Sequence, residues 1–196
     1  MFNKKMLNIA KHLKKPVLNI LTGKDIKLRA LEPSDIDLLY SWENNTGIWS
    51  VSNTIVPFSK FILEKYIADS HMDIYQAKQL RLMIDYCKIA AAETIGAIDL
   101  FDFDPMHKRA GIGILISEEK YRNRGFASEA LKLLINYSFT ILQLHQLFCY
   151  IDCDNKISIK LFENFRFKVT GEKKDWNITP EGWKSEYMLQ LLNPNQ

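Results

Sequence analysis

A chain of 196 residues with 47% hydrophobic, 25% charged and 12% aromatic residues can bury one proper core and leaves little room for a second folding unit. The formal charge of +3 hides an asymmetry: residues 1–24 carry six lysines and no acid, so the remainder is mildly acidic, offers no basic footprint for nucleic acid and is compatible with a cationic substrate. No run reaches the ~20 apolar residues needed to span a bilayer, and lysines interrupt the N-terminal apolar positions, which argues against a signal peptide and a membrane protein.

In chain order, residues 5–21 place Ile9, Leu13, Val17 and Ile20 at roughly helical spacing opposite lysines, as in a simple N-terminal extension or a surface-binding helix. Asp25 to Leu31 alternates like a strand. Ser34 then reads as the N-cap of a helix through Leu38, Leu39 and Trp42, and a second helix fits Ser59 to Ser70. Three strands follow, Gln79 to Cys87, Thr94 to Phe103 and Arg109 to Ser117, as an antiparallel meander. An amphipathic helix is expected from Phe126 to Phe139, a strand from Gln146 to Asp152, a helix at Lys156 to Asn164 and a strand near Phe167. A turn-rich segment around Trp176 to Gly182 and a final strand from Trp183 to Leu192 complete the chain. These elements imply an α/β sandwich, a mostly antiparallel mixed sheet of about seven strands flanked by helices, with one parallel crossover.

Cys87, Cys149 and Cys153 show no redox or metal spacing. Cys149 and Cys153 share a strand face at roughly 13 Å, given about 3.3 Å per residue, beyond disulfide reach. Reduced thiols and a cytoplasmic location are the expectation. His12, His71, His107 and His145 lack ligand spacing, so no metal site is expected.

The segment most informative about function is the strand ending at Ser117, the loop EEKYRNRG and the helix opening at Phe126. A glycine-containing turn entering a helix N-terminus presents unpaired N–H groups and the positive end of the helix dipole to an anion. Gly125 permits a backbone that a side chain would oppose, Ala127 keeps the first turn thin, and Arg122 and Arg124 add charge. Neither the P-loop nor the dinucleotide fingerprint fits.

Arg122, Gly125 and Ala127 resemble the R/Q-x-x-G-x-G/A signature of the GNAT N-acetyltransferase superfamily. DNKISIKLFENFRF resembles its second motif, in which an Asn opens a helix. The resemblance runs from about Asp25 to the C-terminus and is nearest the branch of spermidine and ribosomal-protein N-terminal acetyltransferases. It implies residues 25–196 as one acyl-CoA acyltransferase domain, 1–24 as an extension outside it, and acetyl-CoA as the co-substrate. Ile114, Ile116, Arg122, Asn123, Arg124, Gly125, Phe126, Ala127 and Asn155 are then the expected cofactor contacts, with Asn155 equally readable as a helix cap.

Acetyl transfer to an amine needs a neutral nucleophile, a polarised thioester carbonyl and a proton for the thiolate. An alkylamine with a pKa near 10.4 is neutral at about one part in 2,500 at pH 7, so a base or desolvation must help. Phe162 stands where many members carry a tyrosine, and a phenyl ring donates no proton. Ser158 matches the serine attributed to the ribosomal-protein branch and is the candidate acid, or else a helix serine bonded to its own backbone. Gly111 and Gly113 leave no fourth-strand glutamate, so the base is sought among Asp99, Asp102, Asp104, Glu43 and Tyr187. Lys173, Lys174, Trp176 and Trp183 fall near a late hairpin that in this family borders the acceptor groove. The expected function is acetyl transfer by direct attack in a ternary complex to a small-molecule amine, such as a polyamine, or a protein N-terminus. A non-catalytic acyl-CoA sensor on the same fold is the alternative, and a homo-oligomer is left open.

Overall fold

The computed structural model describes residues 20–52, 54–88, 92–179 and 181–195. Most of the N-terminal extension, including the amphipathic stretch, lies outside them. Seven strands form one sheet: β1 Ile26–Ala30, β2 Leu80–Tyr86, β3 Glu93–Asp104, β4 Arg109–Ile116, β5 Gln146–Asp152, β6 Lys168–Thr179 and β7 Gly182–Leu192. Their order is β1-β2-β3-β4-β5-β7-β6, every pair antiparallel except β4 with β5. The expected mixed sheet with one parallel crossover is what the chain forms.

Two helical layers cover it. On one face, α5 Phe126–Thr140 and α6 Lys156–Asn164 bury Ala130, Leu131, Leu134, Ile159 and Phe162 against Leu82, Ile98, Leu100, Ile112, Leu147 and Leu189. On the other, α1 Ile36–Glu43, α2 Thr46–Ser52 and α3 Lys60–Ala68 surround a smaller core of Leu39, Trp42, Leu63, Ile67, Met83 and Ala97, while the single turn α4 Ile74–Ala77 packs Ile74 against the larger one. The apolar stripe of α5 recurs at helical spacing, which is why this segment seats against the sheet.

Two expectations need correction, and two short helices come in addition. Ser34 is not an N-cap: a 3-10 turn at Pro33–Asp35 precedes α1, and Asp35 performs the capping, accepting from Glu32 N–H at 2.9 Å. Asp35 also receives Arg29 at 2.7 Å, and Arg29 bridges onward to Asp85 at 2.8 Å, so the side chain ties β1 to both β2 and the helical wall. The turn-rich reading of Trp176 to Gly182 is also wrong, because β6 resumes pairing after an irregularity and runs to Thr179, with Asn177 opposite Lys184 and Thr179 opposite Gly182. Finally, α2 and α4 give no periodic signal. TGIWSVS is rich in poor helix formers and is held from outside, Asn45 accepting from Gly47 N–H at 3.0 Å and Trp49 Nε1 donating to Glu43 O at 2.8 Å.

Candidate active site

The single parallel pairing is short. β4 and β5 are in register only at Arg109 with Gln146, Ala110 with Leu147 and Gly111 with Phe148, after which the strands part. A plug of Phe101, Phe148 and Tyr150, with ring centroids 5.5 to 6.4 Å apart, sits at the point of divergence. A Cβ on Gly111 would lie 2.3 Å from the Phe101 ring, so the plug itself demands glycine there; at Gly113 a Cβ would meet nothing within 4 Å.

Beyond the plug the sheet opens into a cavity of about 410 Å³ whose lining includes Gly113, Ile114, Asp152, Asn155, Ser158 and Phe162. Pairing parity decides which main-chain groups face it. Ser117 N–H donates to Ile95 O at 3.0 Å, so alternate residues of β4 spend their amides on β3, and Ile114 and Ile116 turn theirs toward the gap where β5 has left. An amide aimed into a dry opening between strands can polarise a carbonyl.

At the far end of β4 the chain makes a 3-10 turn, Glu119–Tyr121, then enters α5 through two left-handed residues, Asn123 at φ 58° and Gly125 at φ 87°. Such alternation curls successive amides round an anion. Among the described residues, the N–H groups of Gly125, Phe126, Ala127 and Ser128 have no acceptor, as the first turn of a helix requires. The Phe126 ring is buried against Tyr86, so that residue offers only its backbone. Arg122 folds back, its Nε and Nη2 each 3.2 Å from the carbonyls of Ile116 and Ser117, and clamps the loop to the strand end. Arg124 lies over Phe126 at 5.1 Å.

Asn155 is the N-cap of α6, its Oδ1 accepting from Ser158 N–H at 3.1 Å, and it also faces the cavity. The capping reading therefore holds. The Ser158 hydroxyl bonds no backbone group among the described residues. Phe162 turns one edge to the cavity and packs the rest of its ring on Phe167 at 5.0 Å.

Ile114, Asn155 and Ser158 thus surround one space. Asp99 and Glu43 line a neighbouring cavity of about 230 Å³ that shares Gly113 and Ile114 with the first. Arg81 takes both oxygens of Asp99, at 2.8 and 3.2 Å, but only one of Glu43, at 2.9 Å. Burial opposes the Arg81 charge, but Asp99, Tyr66 and Glu43 outweigh it and push its pKa up. Tyr187 does not line either cavity; it packs toward the α5 and α6 layer, where Cys153 and Glu172 push its phenol up. Asp102 lies in a groove at the opposite end of the β4–β5 pairing, with Arg109 and Gln146.

Residues absent from the sequence reading complete the wall. Asp152, Asn177 and Glu186 line the larger cavity, Asn177 Nδ2 reaching Asp152 Oδ1 at 3.3 Å and Glu186 Oε2 at 3.2 Å. The only trace of Glu186 in the sequence is a carboxylate just before the apolar run Tyr187, Met188 and Leu189 of a strand. A further groove, lined by Trp49, Ile55, Trp176, Ile178 and Trp183, continues from Asn177 along α2 and the β6–β7 hairpin.

A cavity between parting parallel strands, beside an anion-ready helix N-terminus, is the geometry of a pantetheine-bearing ligand. The GNAT acetyltransferase domain model matches residues 25–168. The chain belongs to the GNAT acetyltransferase family. It is 29% identical over 154 residues to spermidine N(1)-acetyltransferase of Escherichia coli K12, covering 77% of each chain. The same-named protein of Vibrio cholerae serotype O1 is 27% identical over 149 residues, covering 76% of this chain and 82% of the other. The structure of spermidine N-acetyltransferase from Vibrio cholerae in complex with CoA and spermine superposes with a TM-score of 0.78 at 23% identity, over 87% of this chain and 96% of that one. The GNAT chain is an acetyl-CoA-dependent N-acetyltransferase that transfers acetyl to an amine, and the alternative of a non-catalytic sensor finds no support in these matches. No described helix is long and apolar enough to cross a membrane.

Proposed function

We propose that this acetyltransferase modifies a polyamine of the spermidine class, within a domain spanning residues 25–196 and with 1–24 as an extension. The acceptor side of the cavity carries the reading: among the described lining residues, Glu43, Asp99, Asp152 and Glu186 are opposed by Arg81 and Lys173, and Trp49, Trp176 and Trp183 wall the continuing groove. An excess of carboxylates raises the local concentration of a cation, and indole faces attract ammonium groups and cover methylene spacers. The names of the relatives point the same way. Free Cys87, Cys149 and Cys153 support a reducing, cytoplasmic setting.

In this reading the pyrophosphate of acetyl-CoA rests on the amides of Gly125 to Ser128, held by the loop that Asn123, Arg122 and Arg124 shape. The pantetheine arm fills the gap along Ile114, Ile116 and Asn155. The Ile114 amide donates to the thioester oxygen. The neutral amine enters past Gly113 and attacks the carbonyl carbon; the C–N bond forms, the C–S bond breaks, and Ser158 relays a proton to the departing sulfur, regaining its own from solvent water. The ammonium proton leaves through water to a carboxylate. Glu43, with one oxygen free of Arg81, is better disposed than Asp99, whose two oxygens are both engaged.

Thiol release from acetyl-CoA over a panel of polyamines, monoamines, amino sugars and N-terminal peptides tests the proposal. The expected result is turnover with spermidine or spermine well above the others. Turnover confined to peptides would overturn the polyamine assignment.

A further inference from the structure

One cation in the acceptor cavity belongs to the protein. Lys173 projects from β6, its Nζ 3.1 Å from Glu186 Oε1, 3.6 Å from the centroid of the Tyr150 ring and 4.8 Å from that of Trp176. The Glu186 side chain is only 8% exposed, and Asn177 fixes its second oxygen at 3.2 Å. A buried carboxylate and two aromatic faces are what recognition of an alkylammonium requires. The present occupant, a primary ammonium on four methylenes, has the chemistry of one end of an alkyl diamine.

This occupant is replaceable. The Lys173 side chain is 30% exposed, and Tyr150 and Trp176 are 38% and 58% exposed, so the cradle opens to solvent on the side from which the lysine enters. The strand that carries it loses its regular pairing between Lys173 and Asn177, which frees the stem from a packed neighbour row. Leaving the cradle costs the lysine a partly solvated ion pair and two cation–π contacts, each modest.

We propose that Tyr150, Trp176, Asn177 and Glu186 form a binding site for the non-reacting ammonium of a di- or polycationic amine, and that Lys173 is its exchangeable resident. A dication binds with one end at the thioester and the other in the cradle by displacing the lysine into solvent, so the internal competitor weakens its binding. The inference rests on the polyamine reading and adds a subsite to it.

Calorimetric titration of the CoA-bound protein with 1,4-diaminobutane and spermidine tests it. Lys173→Met should bind both about ten-fold more tightly, the change that corresponds to about 1.4 kcal/mol, and Glu186→Gln about ten-fold more weakly, with the affinity for CoA itself unchanged in each. Unchanged or weaker dication binding by Lys173→Met overturns the proposal. On the unaltered chain, acylation of Lys173 by acetic acid N-hydroxysuccinimide ester, read by mass spectrometry relative to Lys174, should rise several-fold when the non-acylatable dication hexamethonium is present; an unchanged ratio overturns it equally. If no amine of the acetylation panel turns over but Lys173→Met tightens the dications, the polyamine acetylation reading fails and the subsite stands. If polyamines are acetylated and Lys173→Met tightens nothing, the subsite alone fails.

Discussion

The two sides of the gap between β4 and β5 are made of different material. The side proposed for the cofactor is main chain: the left-handed Asn123 and Gly125, the free amides that follow, and the unpaired edge at Ile114 and Ile116. The side proposed for the acceptor is side chains, brought from α1, β2, β3, β5, β6 and β7 as Glu43, Arg81, Asp99, Asp152, Lys173, Asn177 and Glu186. A site built of backbone is indifferent to most substitutions but not to a change of φ, whereas a site built of side chains can be rewritten one residue at a time. That difference explains how one fold keeps its cofactor while acceptors change.

The largest expected effect falls where the two materials meet. Ser158→Ala should lower kcat by about 100-fold at nearly constant KM for either substrate, as loss of a positioned acid does, and adding Phe162→Tyr should recover part of the loss. Steady-state kinetics with both substrates varied checks this; an unchanged kcat in Ser158→Ala removes the serine from the chemistry.

The helix that ends at Glu43 starts from its N-cap, Asp35. Burial pushes the Asp35 carboxyl up, but the hydrogen bond and charge of Arg29 and the Glu32 amide outweigh it and hold its pKa below the ordinary value. A depressed folded-state pKa contributes stability that is complete above the unfolded value and lost as pH falls through the folded one. Asp35→Asn should therefore be about 2 kcal/mol less stable at pH 7, with the gap closing below about pH 4. Urea midpoints across pH show it, and a pH-independent gap would mean that the ion pair is not the cause.

Gly125→Val forces a β-branched side chain to φ 87° with open space around it. The strain falls on conformation rather than on contacts, so the KM for acetyl-CoA should rise about ten-fold with the KM for amine unmoved. The smallest effect lies outside both halves. The buried Ser138 hydroxyl has no partner among the described residues, so Ser138→Ala should be neutral or stabilising by up to about 1 kcal/mol in thermal unfolding, with catalysis intact.

The same division decides what was legible in the sequence. Phe126 to Asn164 could be read almost to the residue, because the glycine before α5, its apolar period and the Asn155 cap are local signals. The left-handed turn into α5, being backbone and local, is legible with them. The acceptor wall was not: Glu186 meets Asn177 and Asp152 only through pairing of β7 with both β5 and β6, and Arg81 joins Glu43 to Asp99 across three elements. Tyr187, one residue along from Glu186, was chosen for its phenol, but the two-residue period of β7 turns it to the opposite face. Beyond Lys173 the bulge of β6 hid a strand behind Asn, Pro and Gly.

The most direct test of the account is two-substrate steady-state kinetics on Gly125→Val and Glu186→Gln side by side. Separate halves predict that the first raises only the KM for acetyl-CoA and the second only the KM for the polyamine. If both variants raise the same KM, the assignment of main chain to cofactor and side chains to acceptor is contradicted.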